Sequence, residues 1–185
     1  MNVLWSYFWP CFSAGLLCGV IAGIFAFRAP RVRVKASPDE IAAALGRWSR
    51  RRKRAIIAGV VGAFIATALW HGPLGAGDHL AHELERSARQ TLSDKDAPPG
   101  LTARIHRGPL TRQLILSGRA DDFQRAEAAR LLSEVPGVSD ADWAASTGVP
   151  LILEGAGAAL VGFLLGLLLD YLVELRRRHN SQWNW

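Results

Sequence analysis

Charged residues are absent from two long stretches of this chain of 185 residues, because Cys11–Phe27 and Ala55–Trp70 contain no Asp, Glu, Lys or Arg. A third stretch, Leu160–Leu169, consists of Leu, Gly, Val and Phe. Half of the residues are hydrophobic and the mean hydropathy is +0.12, which few soluble domains of this size reach. We therefore expect an α-helical membrane protein with three transmembrane helices.

Cysteine is also scarce. The two cysteines, Cys11 and Cys18, would lie about 10 Å apart along one helix, which is too far for a disulfide. They are expected to be small buried hydrophobic residues. The N-terminus has no positively charged region, so a cleaved signal peptide is not predicted.

The residue sets that enzymes need are missing as well. No Ser-His-Asp set, nucleotide-binding loop or catalytic pair of carboxylates is evident, and Asp121 and Asp122 are explained by helix capping. His79, His82 and Glu83 could bind a metal, but they lack the spacing of zinc proteases and a third ligand. We expect a non-enzymatic protein without a cofactor or metal, in which these residues are solvated at a helix start.

Basic residues are concentrated in residues 28–54, which contain ten Lys or Arg against only Asp39 and Glu40. Residues 72–149 contain nine basic and eleven acidic residues, so nucleic-acid binding is not predicted. A short basic loop between apolar helices is typical of the cytoplasmic side, and Arg176–Arg178 after the third run require the same side. This places the N-terminus and residues 72–149 in the periplasm and the C-terminus in the cytoplasm.

The basic loop also contains a capping box, Ser37 with Glu40, followed by apolar residues at helical spacing. A short amphipathic helix is therefore expected in the cytoplasmic headgroup layer, or alternatively packed on another protein. Its predicted membrane-surface residues are Trp48, Arg50, Arg51, Arg52, Lys53 and Arg54. The last residues, Gln182–Trp185, could anchor at the interface or dock on a partner.

Small residues recur every fourth position in all three apolar runs, which allows helices to approach closely. They predict a three-helix bundle or assembly with partner helices. The candidates are Gly15, Gly19, Gly23, Ala58, Gly62, Ala66, Gly162 and Gly166. Glu154 lies about one turn inside the third run, where an acid is costly. It is expected to be protonated, snorkelling or paired, and a contact with a partner subunit is an alternative.

Residues 72–149 form the only mostly polar region, and their periodicity predicts an α+β domain. The predicted elements are a helix from about His79 to Leu92 capped by Asp78, strands at Leu101–His106 and Leu110–Leu116, a helix starting at Asp121 and Gln124, and a short strand at Val138–Trp143.

Several residues of this region are similar to those of a known family. Leu116-Ser117-Gly118 ends a strand, a helix follows, and Val135-Pro136-Gly137-Val138 leads into the last strand. This pattern resembles the BON domain of bacterial envelope proteins, over about residues 78–145 and most closely over 114–138. The resemblance implies an αββαβ, non-catalytic module that attaches to phospholipid surfaces or envelope partners.

The expected organisation is that of a multi-pass inner-membrane protein whose periplasmic BON-like domain binds phospholipid or envelope proteins. An accessory or structural subunit of a larger membrane complex is the alternative. Expected partners are membrane lipids and integral-membrane or envelope proteins, another copy of this chain included, and no nucleic acid. The predicted segments are membrane helices at 1–27, 55–71 and 150–173, the basic loop at 28–54, the α+β domain at 72–149 and a cytoplasmic tail at 174–185.

Overall fold

A computed structural model describes residues 3–28, 37–95, 97–144 and 148–182. Arg31, Arg33 and Lys35 of the basic loop and Trp183–Trp185 of the tail lie outside the described residues. The elements follow in the order α1 (Val3–Phe27), α2 (Pro38–His71), α3 (Ala76–Asp94), β1 (Thr102–Arg107), β2 (Leu110–Ser117), α4 (Asp122–Ser133), β3 (Asp140–Asp142) and α5 (Leu151–Gln182).

Three of the helices are long and apolar enough to cross a membrane, over Leu4–Phe27, Pro38–His71 and Leu151–Asn180. With 25 residues, α1 measures roughly 37 Å, which exceeds a hydrocarbon core of about 30 Å. Helix α5 has 32 residues and continues to Gln182, so most of the predicted tail is part of this helix.

The expectation of a separate amphipathic helix in the headgroup layer is corrected by α2, which is one continuous helix of 34 residues. It begins with the predicted capping box, in which Ser37 and Glu40 exchange hydrogen bonds of 3.0 and 3.3 Å. No proline follows, and the residues between Gly46 and Ala55 are mostly arginines, which have high helix propensity. The basic residues and the apolar run therefore share one helix axis.

The chain divides into two units, of which unit 1 comprises Met1–Pro10 and Ala68–Gly155 and unit 2 comprises Cys11–Thr67 and Ala156–Trp185. Unit 1 contains a sheet in the order β1-β2-β3, with β1 antiparallel and β3 parallel to β2. Helices α3 and α4 cover one face of this sheet, and their buried side chains form one core with those of the strands. This core contains Ala88, Leu92, Ala103, Leu114, Leu116, Ala128, Leu132, Val135 and Ala141. We call α3 to β3 the α+β module.

The two strands of the hairpin differ from the expected ones by one residue at their ends, whereas the start of α3 and the extent of β3 differ more. Helix α3 begins at Ala76 after Gly75, so Asp78 lies in its first turn and does not cap it. Gly75 adopts φ 72°, a conformation that suits glycine and lets the chain enter α3 directly after α2. The last strand spans only Asp140–Asp142. Helix α4, in contrast, has the expected capping box between Asp121 and Gln124.

Unit 2 contains the larger part of all three long helices. Its α1 and α5 segments touch backbone to backbone at the glycines. A Cβ atom on Gly15 would overlap the carbonyl of Ala159, and one on Gly162 would overlap the carbonyl of Phe12. Gly19 meets the Phe163 carbonyl and Gly166 the Leu16 carbonyl in the same way. These four glycines therefore pack within the chain, at the contact between α1 and α5.

The small residues of α2 that pack in unit 2 are only in part the expected ones, since a Cβ atom on Gly62 would lie 3.6 Å from Cys18 Sγ. Ala58 is exposed, and Gly62 and Ala66 are only half-buried. A neighbouring stripe faces inward instead, with Ala63 and Thr67 buried and Gly59 close to Phe163. Gly23 of α1 lies beside the Asp170 side chain of α5.

Candidate functional site

The most specific polar contact of unit 1 joins β2 to the first turn of α5. Arg112 Nε donates to Glu154 Oε2 at 2.7 Å and Nη2 donates to Oε1 at 3.1 Å, a bidentate ion pair. The third donor, Nη1, bonds the Gly137 carbonyl at 3.2 Å. Only about a fifth of each charged side chain is exposed (22% for Arg112 and 20% for Glu154). Glu154 is thus paired, which was one of the three expected solutions for an acid at this depth.

A second contact set in unit 1, the helix-end cluster, consists of Tyr7, Trp70, His71 and Leu151. The Tyr7 hydroxyl lies 2.8 Å from His71 Nδ1 and donates to the Leu151 carbonyl at 3.4 Å. Trp70 Nε1 donates to the Tyr7 carbonyl at 3.2 Å. The Tyr7 hydroxyl therefore bridges the end of α2 and the start of α5. The start of α1, the end of α2 and the start of α5 are held together in this way.

The helix-end cluster continues into the α+β module. Tyr7 and Leu151 share a hydrophobic cluster with Leu80, Ala81 and Leu84 of α3 and Ile105 of β1. Tyr7 is 1% exposed, and Phe8 and Trp70 pack against the same cluster. The module is therefore attached by apolar burial as well as by the ion pair.

The residues of the family-like pattern have structural roles. Leu116 and Val135 are buried in the module core, and Val138 packs against both hydrophobic clusters. Gly118 has φ 135°, and a Cβ atom there would lie 2.6 Å from the Gly100 carbonyl oxygen. Gly137 has φ 103°, and its Cβ would lie 2.8 Å from a methyl carbon of Leu84. These glycines permit the turns that flank α4.

The one large hydrophobic side chain exposed between Ala76 and Asp142, among the described residues, is Phe123 at the start of α4. At 79% it is also the most exposed large hydrophobic side chain in the described chain. It lies between Asp122 and Gln124, and charged Arg119 and Arg125 are exposed nearby in sequence. No binding role is predicted for Phe123 from the sequence, although its position off the apolar stripe of α4 is a signal that its ring is exposed.

Other polar residues of the module are engaged locally. His79 and His82 are exposed, and His82 Nδ1 lies 2.7 Å from the Asp78 carbonyl one turn earlier. No group of three His, Cys, Asp or Glu side chains suited to a metal occurs in the part of the chain that the structure describes. On α4, Arg130 bonds Glu127 and Glu134, and its guanidinium lowers the pKa of Glu127.

The predicted membrane-surface residues lie along α2. Arg52 stacks over the rings of Trp48 and Phe27, at 5.9 and 5.4 Å from the ring centroids. Arg51 lies 5.4 Å from the centroid of Phe25. Arg50, Lys53 and Arg54 are exposed. The structure thus directs these residues to different sides of one helix.

Comparisons with known proteins yield no match. No family model matches the chain, and neither the curated proteins nor the solved structures contain a significant match.

Proposed function

We propose that this chain is a non-enzymatic inner-membrane protein of a bacterium that presents its α+β module in the periplasm. The module is BON-like and binds phospholipid or an envelope protein there. Helices α1, α2 and α5 are the membrane anchors in this proposal. Their length and composition support it, and so does the distribution of basic residues: Arg28 follows α1, Arg47–Arg54 lie in the first half of α2, and Arg176–Arg178 lie in the last turns of α5.

The observation that carries the proposal is the attachment of the module to the opposite helix ends. The helix-end cluster contains the start of α1, the end of α2 and the start of α5, and these ends carry few basic residues. The bond between Arg112 and Glu154 adds a charged contact to the first turn of α5. By the positive-inside rule, a module attached at these ends lies outside the cytoplasm.

Phe123 supplies the proposed contact surface of the module. An exposed aromatic ring flanked by polar residues suits the boundary of a lipid headgroup layer or a pocket on a protein partner. The other large apolar side chains that the structure describes in the module are buried or half-buried, whereas 79% of Phe123 is exposed. Gly118 and Gly137 of the family-like pattern have structural roles, so the proposed binding is assigned to the exposed surface of the module.

The test compares Phe123→Ser with Phe123→Trp, which keeps an aromatic ring, and with Val149→Ser, another exposed apolar residue of unit 1. Each full chain is purified from membranes in mild detergent, and copurified proteins and phospholipids are quantified by mass spectrometry. We expect Phe123→Ser to lose a defined partner or lipid that the other two variants retain. An unchanged profile for Phe123→Ser would refute the proposed surface.

The alternative of an accessory subunit rests on the small-residue faces of all three helices, on Glu154 and on the tail at Gln182–Trp185. Because Gly15, Gly19, Gly162 and Gly166 are occupied by contacts between α1 and α5, they offer no free face to a partner helix. The stripe of α2 that contains Ala58, Gly62 and Ala66 is exposed or half-buried, and this stripe is the small-residue face that supports the accessory-subunit alternative.

A further inference from the structure

A groove of about 590 Å³ lies beside the first half of α2. Its lining residues, which define the arginine groove, are Phe25, Arg47, Arg50, Arg51, Arg54 and Ala55. The four arginines occupy positions i, i+3, i+4 and i+7, so they form one stripe of the helix. No carboxylate belongs to the lining, and no ion pair involves these four arginines among the described residues.

Four like charges on one stripe repel each other, because Arg47 and Arg51, and Arg50 and Arg54, are each one helical turn apart. The ring of Phe25 offsets this only for Arg51, which lies 5.4 Å from its centroid. Guanidinium groups match phosphate in geometry and bind it through paired N–H donors. A ligand with a phosphate group would therefore relieve the repulsion and satisfy the donors together.

A second cavity of unit 2 also has basic residues in its lining, but their charge is balanced by carboxylates. A cavity of about 290 Å³ between the ends of α1 and α5 is lined by Arg28 and Arg177, but also by Asp170 and Glu174. Glu174 in turn accepts from Arg178 at 3.0 Å. The positive charge there is compensated within the protein, whereas that of the arginine groove is not.

The surface next to the arginines is apolar, which indicates that the ligand is a lipid. Continuing the same stripe toward the end of α2 leads to Ala58, Val61 and Ile65, which are all exposed. A phosphate group at the arginines would thus be followed by an apolar surface suited to acyl chains. We propose that the arginine groove binds the phosphate headgroup of an anionic phospholipid whose acyl chains lie along this stripe. This inference rests on the membrane placement proposed above.

The test uses the full chain in neutral detergent, with bound lipid counted by native mass spectrometry. The groove variant Arg50→Gln/Arg54→Gln is compared with Arg52→Gln/Lys53→Gln, which removes the same charge from residues outside the groove lining. We expect the Kd for phosphatidylglycerol to rise at least about tenfold in the groove variant and to change little in the control. Circular dichroism checks that both variants are folded.

Three outcomes would overturn the proposal. Equal weakening in both variants would mean diffuse attraction to net charge. Equally tight binding of phosphatidylcholine, whose choline group neutralises the phosphate charge, would mean that the groove does not select an anionic lipid. Displacement of the lipid by millimolar inorganic phosphate would assign the groove to a free anion. The result is separable from that for the periplasmic module, because Arg50→Gln/Arg54→Gln leaves Phe123 unchanged and should retain the partner or lipid that Phe123→Ser loses.

Discussion

The ion pair between Arg112 and Glu154 gives the sharpest quantitative prediction. Replacing Arg112 by Met removes three hydrogen bonds and leaves the Glu154 carboxylate unpaired at the start of an apolar helix. Breaking a fully buried pair costs about 3–5 kcal/mol, and the fifth of each side chain that stays exposed reduces this. We expect a loss of about 3 kcal/mol for Arg112→Met and about 2 kcal/mol for Glu154→Met.

The double variant separates pairing from packing. With both charges replaced by apolar side chains, no unpaired charge remains, and we expect a loss of about 2 kcal/mol instead of the additive 5. The coupling energy is then about 3 kcal/mol. The assay is reversible unfolding of the full chain in mixed micelles with dodecyl sulfate, followed by circular dichroism. Hydrogen exchange of β2 and of the first turn of α5 reports whether the loss is local.

Arg130 provides the matched control. It contacts two carboxylates, Glu127 at 2.6 Å and Glu134 at 2.8 Å, but its side chain is 58% exposed. Because water and salt screen exposed pairs, Arg130→Met should cost much less than Arg112→Met despite a similar number of contacts. Additive losses for Arg112→Met and Glu154→Met, or an equal loss for Arg130→Met, would refute the reasoning.

Three further predictions follow from single contacts. Gly162→Leu should abolish the folded state in detergent, because the leucine side chain would separate α1 from α5. Gly157→Leu, in the same helix but with open space around it, should elute as the wild type does in size-exclusion chromatography. Tyr7→Phe should lower the free energy of unfolding by about 1–2 kcal/mol, since it removes the hydroxyl shared by two partners. An unchanged free energy of unfolding would mean that the hydrogen bonds of the Tyr7 hydroxyl do not stabilise the fold. In a cysteine-free background, an impermeant thiol reagent should label Arg104→Cys in intact spheroplasts and Arg52→Cys only after lysis, and the reverse pattern would exclude the proposed topology.

The features that could be predicted from the sequence are those that depend on residues close together in the chain. The capping boxes at Ser37 and at Asp121 depend on residues three positions apart, so they can be recognised without knowing the fold. The buried stripe Ala81, Leu84 and Ala88 of α3 depends only on helical spacing. The three apolar runs follow from length and composition, and the structure has a long apolar helix at each of them.

Contacts between residues that are far apart in the sequence could not be predicted. The position of Glu154 predicts that its charge must be satisfied, but nine basic residues in 72–149 could have paired with it. Only the register of β2 beside Gly137 brings Arg112 within 2.7 Å of this carboxylate. Tyr7 and His71 are likewise 64 residues apart, and nothing in their local sequences identifies them as partners.

Helix α2 shows why a packing face is harder to predict than a packing helix. It carries two adjacent stripes of small residues, one through Ala58, Gly62 and Ala66 and the other through Gly59, Ala63 and Thr67. Both have the spacing of four that allows close approach, so sequence spacing cannot choose between them. The Phe163 ring and the Ala22 methyl lie against Gly59 and select the second stripe. Because α2 is a single helix, this choice of face also fixes the direction in which Arg47, Arg50 and Arg54 project, and with it the position of the arginine groove.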